Sequence, residues 1–509
     1  MRNPDEVAVS AARNELSQVN ASLRRGEFDH AEALLADAAR VLPDDAETLR
    51  LQGLVHHLRG RLGDALILLR AAHSRWPAHA GILNTLGGAL RDAGDGEGAI
   101  AALRKSCELD PDAAASWYNL GVALVSHGRN EEAAAVFARA LDIDPAHLAA
   151  QLAHADTLAR LQQPAQAAAH YRATLQSHPG NARAQIGLAD VDAASLSAGE
   201  FAALQALSCE SALAEGERVA AQFAFAHALE ARGDVDAAFA AFASANAVRH
   251  RQLNWNGAQF SQLVDQVADA FAQPAATNPD ANSGNDIVLL VGWPGDGADR
   301  LSAALAAHPD VSVGNGAPEL ANVIQEESTR RGEAFPVWVA SATAGDWQRL
   351  GQRYLQRSAR WRRPHALHVD PALPNWPFLG AFFSMLPGAR VIDMRGDAVE
   401  TCWACYRRSF PRSREAYAYD FADLAAHWHD HERLMLYWHA RHARRIYQQD
   451  GARLAAEPTA AIRGLLEFCA LPFEAECAKK AAAVPAVVSA KVYGRHLDPL
   501  RRLLDPFAR

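Results

Sequence analysis

Hydrophobic and polar positions divide the chain into two regions with different periods. Up to about residue 270, small apolar residues recur at helical spacing, which predicts paired amphipathic helices. The pattern changes at Ile287–Val291, a short and wholly apolar run that is rich in β-branched residues. Such a run is typical of a strand buried on both faces of a sheet. The residues after it return to helical spacing at Leu301 and Leu305, so a separate α/β domain is predicted to begin here.

The helical region repeats itself every 34 residues. The positions in register are Gly53, Gly87 and Gly121; Ala31, Ala65, Ala99, Ala133 and Ala167; Pro43, Pro77, Pro111, Pro145 and Pro179; and Gly26, Gly60, Gly94 and Gly128. Small residues let two helices cross closely, glycine breaks the turn between them, and proline ends the second helix. The unit from Ala115 to Pro145, with Trp117, Leu120 and Phe137, resembles a tetratricopeptide repeat (TPR).

These patterns predict four parts of the chain. They are about five TPR repeats over 12–181, a diverged helical region over 182–272, a linker over 273–285 and an α/β domain over 286–509. A TPR stack presents a concave groove, which is usually used to hold a peptide or another protein. We therefore expect a protein or peptide partner for the repeats, the alternative being a purely structural spacer.

The composition of the chain indicates which partners and which cellular compartment to expect. The formal charge of −9 and the pI near 6.2 give no reason to expect nucleic acid or an anionic membrane as a partner. The first residues contain no apolar signal-peptide core, and no apolar run approaches the ~18 residues of a membrane span. Six scattered cysteines do not form a disulfide framework. The expectation is a cytoplasmic protein.

The stretch of greatest chemical interest follows the first predicted strand. Gly292–Gly297 is glycine-rich and contains Pro294, so it must be a loop. A strand, a glycine loop and a helix form the arrangement that points backbone N–H groups and a helix N-terminus at a phosphate. This loop, however, contains no lysine, serine or threonine, and it carries Asp296, followed by Asp299.

The C-terminal region resembles a known family in several segments. They are His308–Val311, Pro318–Leu320, Asn375–Ile392, Ala404–Phe410, Tyr417–Asp420, Glu432–Trp438 and Leu466–Glu474. Their order and spacing, together with the repeats before them, resemble the bacterial TPR-sulfotransferases. The resemblance implies a P-loop-like α/β domain with a parallel sheet and helices on both faces. It also implies transfer of a sulfuryl group from 3′-phosphoadenosine 5′-phosphosulfate (PAPS) to a hydroxyl or amine.

The resemblance places the PAPS site on named positions of this chain. The family loop reads roughly P-[RK]-S-G-T-[ST], and here Pro294 and Gly297 match it. The cation position is Gly295, the serine position is Asp296, and the two hydroxyl positions are Ala298 and Asp299. A like-charge pair at about 4 Å costs on the order of 4 kcal/mol at an effective dielectric constant of 20. Carboxylates that point into the loop are therefore expected to oppose anion binding.

The other implied site positions are substituted as well. The arginine and serine of the 3′-phosphate site fall on Gly396 and Ala404, with Arg395 one residue away as a possible substitute. The catalytic base falls on Gly316, and Glu319 is the best remaining candidate. The remaining candidate cations for the nucleotide are Arg300, Lys491 and Arg495.

Two hypotheses about function remain open from the sequence. In the first, the chain is a degenerate sulfotransferase that recruits a protein or peptide through its TPR groove. In the second, it is an active but diverged PAPS-dependent enzyme that sulfates a hydroxyl of a protein, glycan or small molecule. The second hypothesis needs Arg395, Arg300, Lys491 or Arg495 to replace the lost cations, and Glu319 to act as the base.

Other residues that attract attention have simpler interpretations. Cys402 and Cys405 form a single CxxC without a second pair, so they are predicted to be structural thiols. His427 and His431 are one helical turn apart but lack the metalloprotease glutamate, so a partly exposed helix face is predicted and no metal site. The cluster that begins at Arg407 is interpreted either as a solvated face or as a site for an anion.

Overall fold

A computed structural model describes residues 4–273, 276–364, 366–410, 413–484 and 488–505. The chain forms two compact units, Met1–Leu207 and Ser208–Arg509. The first unit is built from helices, and the second combines helices with a parallel sheet. The predicted fold class, an all-α repeat region followed by a parallel α/β domain, is confirmed.

The first unit is a series of antiparallel helix pairs. Its helices are α1 Pro4–Arg24, α2 Phe28–Val41, α3 Ala46–Leu58, α4 Leu62–Arg75, α5 Ala80–Asp92, α6 Gly96–Leu109, α7 Ala114–Ser126, α8 Asn130–Ile143, α9 Leu148–Arg160, α10 Pro164–Ser177, α11 Ala182–Asp192 and α12 Ala198–Ser208. Each odd-numbered helix from α1 to α9 packs against the even-numbered helix that follows it and against the next odd-numbered helix. The odd-numbered helices therefore line one continuous face of the stack.

The 34-residue glycine series has a steric cause in these pairs. A Cβ atom added to Gly53 would lie 2.6 Å from Leu69 Cγ, and one added to Gly87 would lie 2.5 Å from Leu103 Cγ. These glycines of the first helices thus accept a large side chain from the second helix of the same pair. A second glycine series, which includes Gly60, has positive φ angles and ends the first helix of each pair.

The second unit contains a five-stranded parallel sheet in the order β2-β3-β1-β4-β5. Its strands are β1 Ile287–Val291, β2 Val311–Val313, β3 Leu367–Asp370, β4 Arg390–Arg395 and β5 Ile446–Asp450. Its helices are α13 Glu215–Ala231, α14 Val235–Gln252, α15 Gly257–Ala270, α16 Ala298–Ala306, α17 Glu319–Arg331, α18 Ala344–Ser358, α19 Leu379–Met385, α20 Ala398–Tyr406, α21 Phe421–His442, α22 Gly451–Ala456, α23 Pro458–Phe468, α24 Ala475–Ala483 and α25 Asp498–Leu504. Every residue of β1 is buried, as its apolar run predicts for a central strand.

The residues before the sheet belong to the same compact unit as the sheet. Helices α13 and α14 share a hydrophobic cluster with Trp403 and Tyr493, and α15 packs against α21. In the segment interpreted as a linker, Asn278 is buried and donates from its backbone N to Ser384 O at 2.8 Å. Its side-chain Nδ2 donates to Met385 O at 2.9 Å. This part of the segment is therefore fixed against helix α19.

Candidate functional site

The glycine loop lies at the topological switch point of the sheet, where the chain crosses from one side of β1 to the other. From β1 the chain passes through β2 to β3 on one side of β1, and it then crosses to β4 on the other side. In open α/β sheets, ligands bind in the crevice outside the carboxyl ends of the strands at such a switch point. The loop Gly292–Gly297, between β1 and α16, stands at this place.

The side chain of Asp296 points into the loop. It is buried, with 5% of its surface exposed. Its Oδ2 accepts a hydrogen bond from Trp293 N at 2.7 Å, and its Oδ1 accepts one from Ala298 N at 3.0 Å. Ala298 is the first residue of α16, so the carboxylate takes an N–H group at the helix N-terminus. The loop's own acid thus occupies donors that a phosphate loop turns toward its ligand.

Burial sets the electrostatics of this acid. Removal from water raises the pKa of Asp296 to about 7, although the two backbone N–H groups act in the opposite direction. The nearby carboxylates of Asp393 and Asp299 raise the pKa further. The group therefore changes its charge near neutral pH.

Neighbouring elements pack tightly around the loop. A Cβ atom added to Gly295 would lie 2.5 Å from the Cβ of Ala404 on α20. One added to Gly451, at the start of α22, would overlap the backbone oxygen of Asp296. Cys405 Sγ donates to Pro294 O at 3.1 Å. The implied cation position and the implied 3′-phosphate serine position are thus in direct contact with each other.

The second implied 3′-phosphate position is equally close-packed. A Cβ atom added to Gly396 would overlap Thr401 Oγ1 and would lie 3.5 Å from the Cβ of Asp296. A side chain at this position therefore requires Thr401, which is buried, to move.

Arg395 takes part in a network of carboxylates. Its Nε donates to Asp393 Oδ2 at 2.7 Å, and its Nη1 donates to Glu432 on α21. His439 Nε2 lies 2.8 Å from the same oxygen of Asp393. The guanidinium neutralises protein carboxylates, one of which is fully buried.

The remaining residues of the implied loop site face outward or bind main-chain atoms. Asp299 has 79% of its side chain exposed and lies 3.5 Å from Arg408 Nη2. Arg300 Nη1 donates to Ala481 O at 2.5 Å. Gly297 precedes α16 with a φ of 104°, a left-handed conformation that favours glycine. Of the two acids predicted to oppose an anion, only Asp296 points into the loop.

Glu319, the predicted base, lies at the first residue of α17 and is buried. Its Oε2 accepts from Arg357 Nε, and its Oε1 accepts from Arg360 Nη2 at 2.6 Å. Both carboxylate oxygens are thus engaged by guanidinium groups. Gly316, the family base position, has a φ of 72° and faces Pro371 O.

Lys491 and Arg495 are exposed on the 3-10 helix Ala490–Leu497. This segment is tied to α20, because Ser489 Oγ and Ala490 N donate to Glu400 at 2.6 and 2.7 Å. These two candidate cations for the nucleotide therefore lie on a segment that is hydrogen-bonded to α20.

The prediction of a partly exposed helix face for His427 and His431 is wrong. Both are buried in α21, with 6% and 1% of their surfaces exposed. His427 stacks on Tyr417 at 3.7 Å and lies 5.1 Å from the ring of Trp293 in the loop. Burial, and then His431, hold the pKa of His427 well below its ordinary value. The sequence did contain a signal, because both histidines share the helical spacing of Leu424 and Leu434.

Arg407 likewise does not lie on a solvated face. Its side chain is 7% exposed, and its Nη2 donates to Glu230 of α13. Cys402 and Cys405 are free thiols buried in α20. Among the described residues, no three His, Cys, Asp or Glu side chains form a group that would hold a metal ion.

This architecture defines a class, a helical repeat region joined to a parallel α/β domain with a phosphate-loop layout. Residues 288–475 match the model of the sulfotransferase family. Residues 16–80, 84–147 and 152–207 match that of the tetratricopeptide repeat. The chain therefore carries tetratricopeptide repeats followed by a sulfotransferase-family domain. In the part of the chain that the structure describes, we find no helix with both the length and the apolar character of a membrane span.

Individual similar proteins match only part of this chain. An uncharacterised protein of Aquifex aeolicus (strain VF5) is 26% identical over 282 residues, which are 53% of this chain and 37% of that protein. The chain thus spans little more than a third of this relative's length. The solved structure of pilF of Pseudomonas aeruginosa is 22% identical, with a TM-score of 0.33, and covers 36% of this chain and 84% of its own. That of a thermophilic TPR protein of Thermus thermophilus is 21% identical, with a TM-score of 0.32, and covers 36% and 98%.

Proposed function

We propose that this chain is a degenerate member of the sulfotransferase family whose TPR repeats hold a protein or peptide. The observation that carries the first half of this proposal is the position of Asp296. Its carboxylate accepts hydrogen bonds from Trp293 N and Ala298 N, and it thereby occupies the loop's own anion-binding donors. The α/β domain is then a scaffold attached to a binding module.

The loop and its neighbours do not fit the phosphosulfate group of PAPS. When Asp296 is ionised, a phosphate oxygen about 4 Å from its carboxylate would meet a repulsion on the order of 4 kcal/mol at an effective dielectric constant of 20. A helix N-terminus returns typically about 0.3–1 kcal/mol. The loss of the loop cation at Gly295 leaves this difference uncompensated.

The 3′-phosphate positions support the same proposal. Gly396 and Ala404 carry neither a charge nor a hydroxyl, and Ala404 packs against Gly295. Arg395, which was the candidate substitute, is bound to Asp393 and Glu432. Glu319 is bound to two arginines, so it is poorly placed to take a proton from an acceptor. We therefore assign no reaction step to this site.

Titration of the full chain with 3′-phosphoadenosine 5′-phosphate tests the first half of the proposal. We expect no binding by calorimetry, which means a dissociation constant weaker than about 1 mM. Micromolar binding by the wild-type chain would instead support the active, diverged enzyme and overturn the proposal.

A pair of variants tests the role given to Asp296 itself. Asp296→Ser frees the N–H groups of Trp293 and Ala298, so we expect it to bind inorganic sulfate at least about tenfold more tightly than the wild type. Asp299→Ser is the matched control, because Asp299 is 79% exposed, and we expect no change. Equal sulfate affinities for the two variants would contradict the role of Asp296.

The second half of the proposal rests on the face lined by the odd-numbered helices. Asn119 Nδ2 of α7 donates to Asn84 Oδ1 of α5 at 2.9 Å. Arg50 Nη1 of α3 donates to Thr85 Oγ1 of α5 at 3.3 Å. Polar side chains thus link successive repeats along one face. Because asparagine both donates and accepts hydrogen bonds, this face suits the backbone of an extended peptide.

A displayed peptide library tests this face on the full chain. We expect peptides selected by the wild type to lose binding to an Asn84→Leu/Asn119→Leu variant, because the polar contacts to the peptide backbone are removed. Glu108→Leu is the control, because Glu108 is 64% exposed and lies on α6, the second helix of its pair, and not on an odd-numbered helix. If the selected peptides bind all three proteins equally, the peptide does not lie on this face.

A further inference from the structure

A cavity of about 490 Å³ lies at the opposite end of the sheet from the glycine loop. Its lining includes Phe271, Phe383, Trp438, Arg441, His442 and Arg445. Arg445 directly precedes β5, and Pro387, which also lines the cavity, precedes β4 by three residues. The cavity thus faces the amino ends of these strands and is separate from the candidate site.

One wall of the cavity is aromatic. The rings of Phe271 and Trp438 meet edge to face, with centroids 5.7 Å apart. Gly380 packs beneath them, since an added Cβ atom would lie 2.6 Å from each ring. The ring of Phe383 lies 4.1 Å from that of His442. A flat apolar group is the natural complement of such a wall.

The other wall carries positive charge. Arg445 Nε and Nη2 donate to the backbone oxygens of Ala389 and Leu386 at 2.9 and 2.7 Å. Arg441 Nη2 donates to Ala272 O at 2.9 Å, and its guanidinium lies over the ring of Tyr437. All three acceptors are neutral carbonyl groups.

These two arginines lack a counter-ion in the described residues, where no carboxylate oxygen lies within 4.0 Å of either guanidinium. The described lining of the cavity contains no Asp or Glu. In the sequence, the undescribed neighbours of Gln273 are Pro274 and Ala275, which carry no charge. Arg357 and Arg395 of this unit are paired with acids, whereas Arg390 donates to backbone oxygens as Arg445 does.

Burial and the two guanidinium charges lower the pKa values of groups in this wall. Burial lowers the pKa of Arg445 to about 10. Burial, Arg445 and Arg441 lower the pKa of His442 to about 4. At neutral pH the wall therefore holds two cations beside a neutral imidazole. Arg445 is partly buried, and an unpaired charge removed from water costs free energy that a bound anion would offset.

We propose that this cavity binds a small organic anion that joins a carboxylate, sulfonate or phosphate to a flat apolar body. The anionic group pairs with Arg441 and Arg445, and the flat body lies against Phe271, Phe383 and Trp438. The site is independent of the glycine loop and of the TPR groove. The cavity is large enough for a two-ring compound, since an apolar cavity of about 150 Å³ already holds benzene.

Calorimetric titrations of the full chain with three probes distinguish the contribution of the anionic group from that of the flat body. Naphthalene-2-sulfonate has both parts, 2-naphthalenemethanol has only the flat body, and methanesulfonate has only the anion. We expect naphthalene-2-sulfonate to bind at least about tenfold more tightly than either of the others, because both walls contribute. Equal affinity for the sulfonate and the alcohol would overturn the proposal.

Two variants locate the binding. We expect Arg441→Met to weaken naphthalene-2-sulfonate binding at least about tenfold, which is the usual scale for losing a charge-assisted contact. Arg441 is exposed, so this variant is expected to keep its fold and to show an unchanged thermal transition. Arg444→Met is the matched control, because Arg444 is exposed three residues further along the chain and does not line the cavity. If Arg441→Met binds as the wild type does, the anion does not occupy this cavity.

Discussion

Replacing Arg407 by methionine is expected to lower the free energy of unfolding of the C-terminal unit by about 3–5 kcal/mol. The reason is that Glu230 would keep its charge in a buried place, since its side chain is only 8% exposed. Removing one partner of a buried ion pair typically costs this much, because the other charge stays without compensation. Urea unfolding followed by tryptophan fluorescence measures the change.

Two comparisons make this expectation specific. Arg408→Met is the neighbouring control, since Arg408 is 40% exposed and lies 3.5 Å from the exposed Asp299, a pair worth about 0–1 kcal/mol. The double variant Arg407→Met/Glu230→Leu removes both charges and is expected to recover much of the stability. Equal losses for Arg407→Met and Arg408→Met would show that the buried pair does not hold α13 against α20.

This ion pair is part of a wider polar connection. Tyr493 OH donates to Glu230 Oε1 at 2.5 Å, and Asn246 Nδ2 of α14 donates to Tyr406 O at 2.9 Å. Helices α13 and α14 are thus bonded to the end of α20 and to the segment that follows α24. We infer that residues from about 215 onward fold together with the sheet.

The stability of the wild type relative to Asp296→Asn is expected to fall as the pH rises from about 4 to 8. Burial raises the pKa of Asp296 from 3.8 to about 7, so the folded state holds a proton that the unfolded state releases. Stability from this group is fully present below the unfolded pKa and is lost as the pH rises through the folded pKa. Each pKa unit corresponds to about 1.4 kcal/mol, so the total change is on the order of 4 kcal/mol.

Denaturant unfolding of both proteins at a series of pH values measures this difference. Asp299→Asn is the control, and its stability relative to the wild type is expected to stay constant, because Asp299 is largely exposed. A flat difference for Asp296→Asn would mean that the carboxylate is solvated or ionised throughout. The charge state proposed for the loop would then be wrong.

The repeats show how much of a fold a sequence pattern contains. Gly53 and Gly87 recur because each faces a leucine of the partner helix at the same place in the repeat. This packing is local, since the glycine and the leucine are 16 residues apart. A period that is set by local packing can be recognised without the structure. The match to the tetratricopeptide-repeat model confirms the TPR prediction.

The sequence predicted where the loop lies, but not which of its two acids is buried. The order of an apolar strand, glycines and a helix places the loop, and the sequence shows two acids in or next to it. Only the structure distinguishes Asp296, which is buried on two backbone N–H groups, from Asp299, which faces solvent. The close approach of Gly451 from a distant helix helps to enclose Asp296.

The error at His427 and His431 has a related cause. Their polarity suggested an exposed face, while their spacing with Leu424 and Leu434 indicated a buried one. The burial of a helix face depends on the elements that pack against it. Here the rings of Tyr417 and Trp293 pack against His427, so this face is buried although imidazole is polar.

The sequence alone determined the two-part architecture, the TPR repeats, the family of the α/β domain and the place of its loop. These properties depend on spacing within one element or between adjacent ones, which the order of residues records directly. The tertiary structure alone decided which charges are compensated. Glu230 meets Arg407, Glu432 meets Arg395, and Arg445 meets no carboxylate in the described residues, because ion pairing depends on which distant elements the topology brings together.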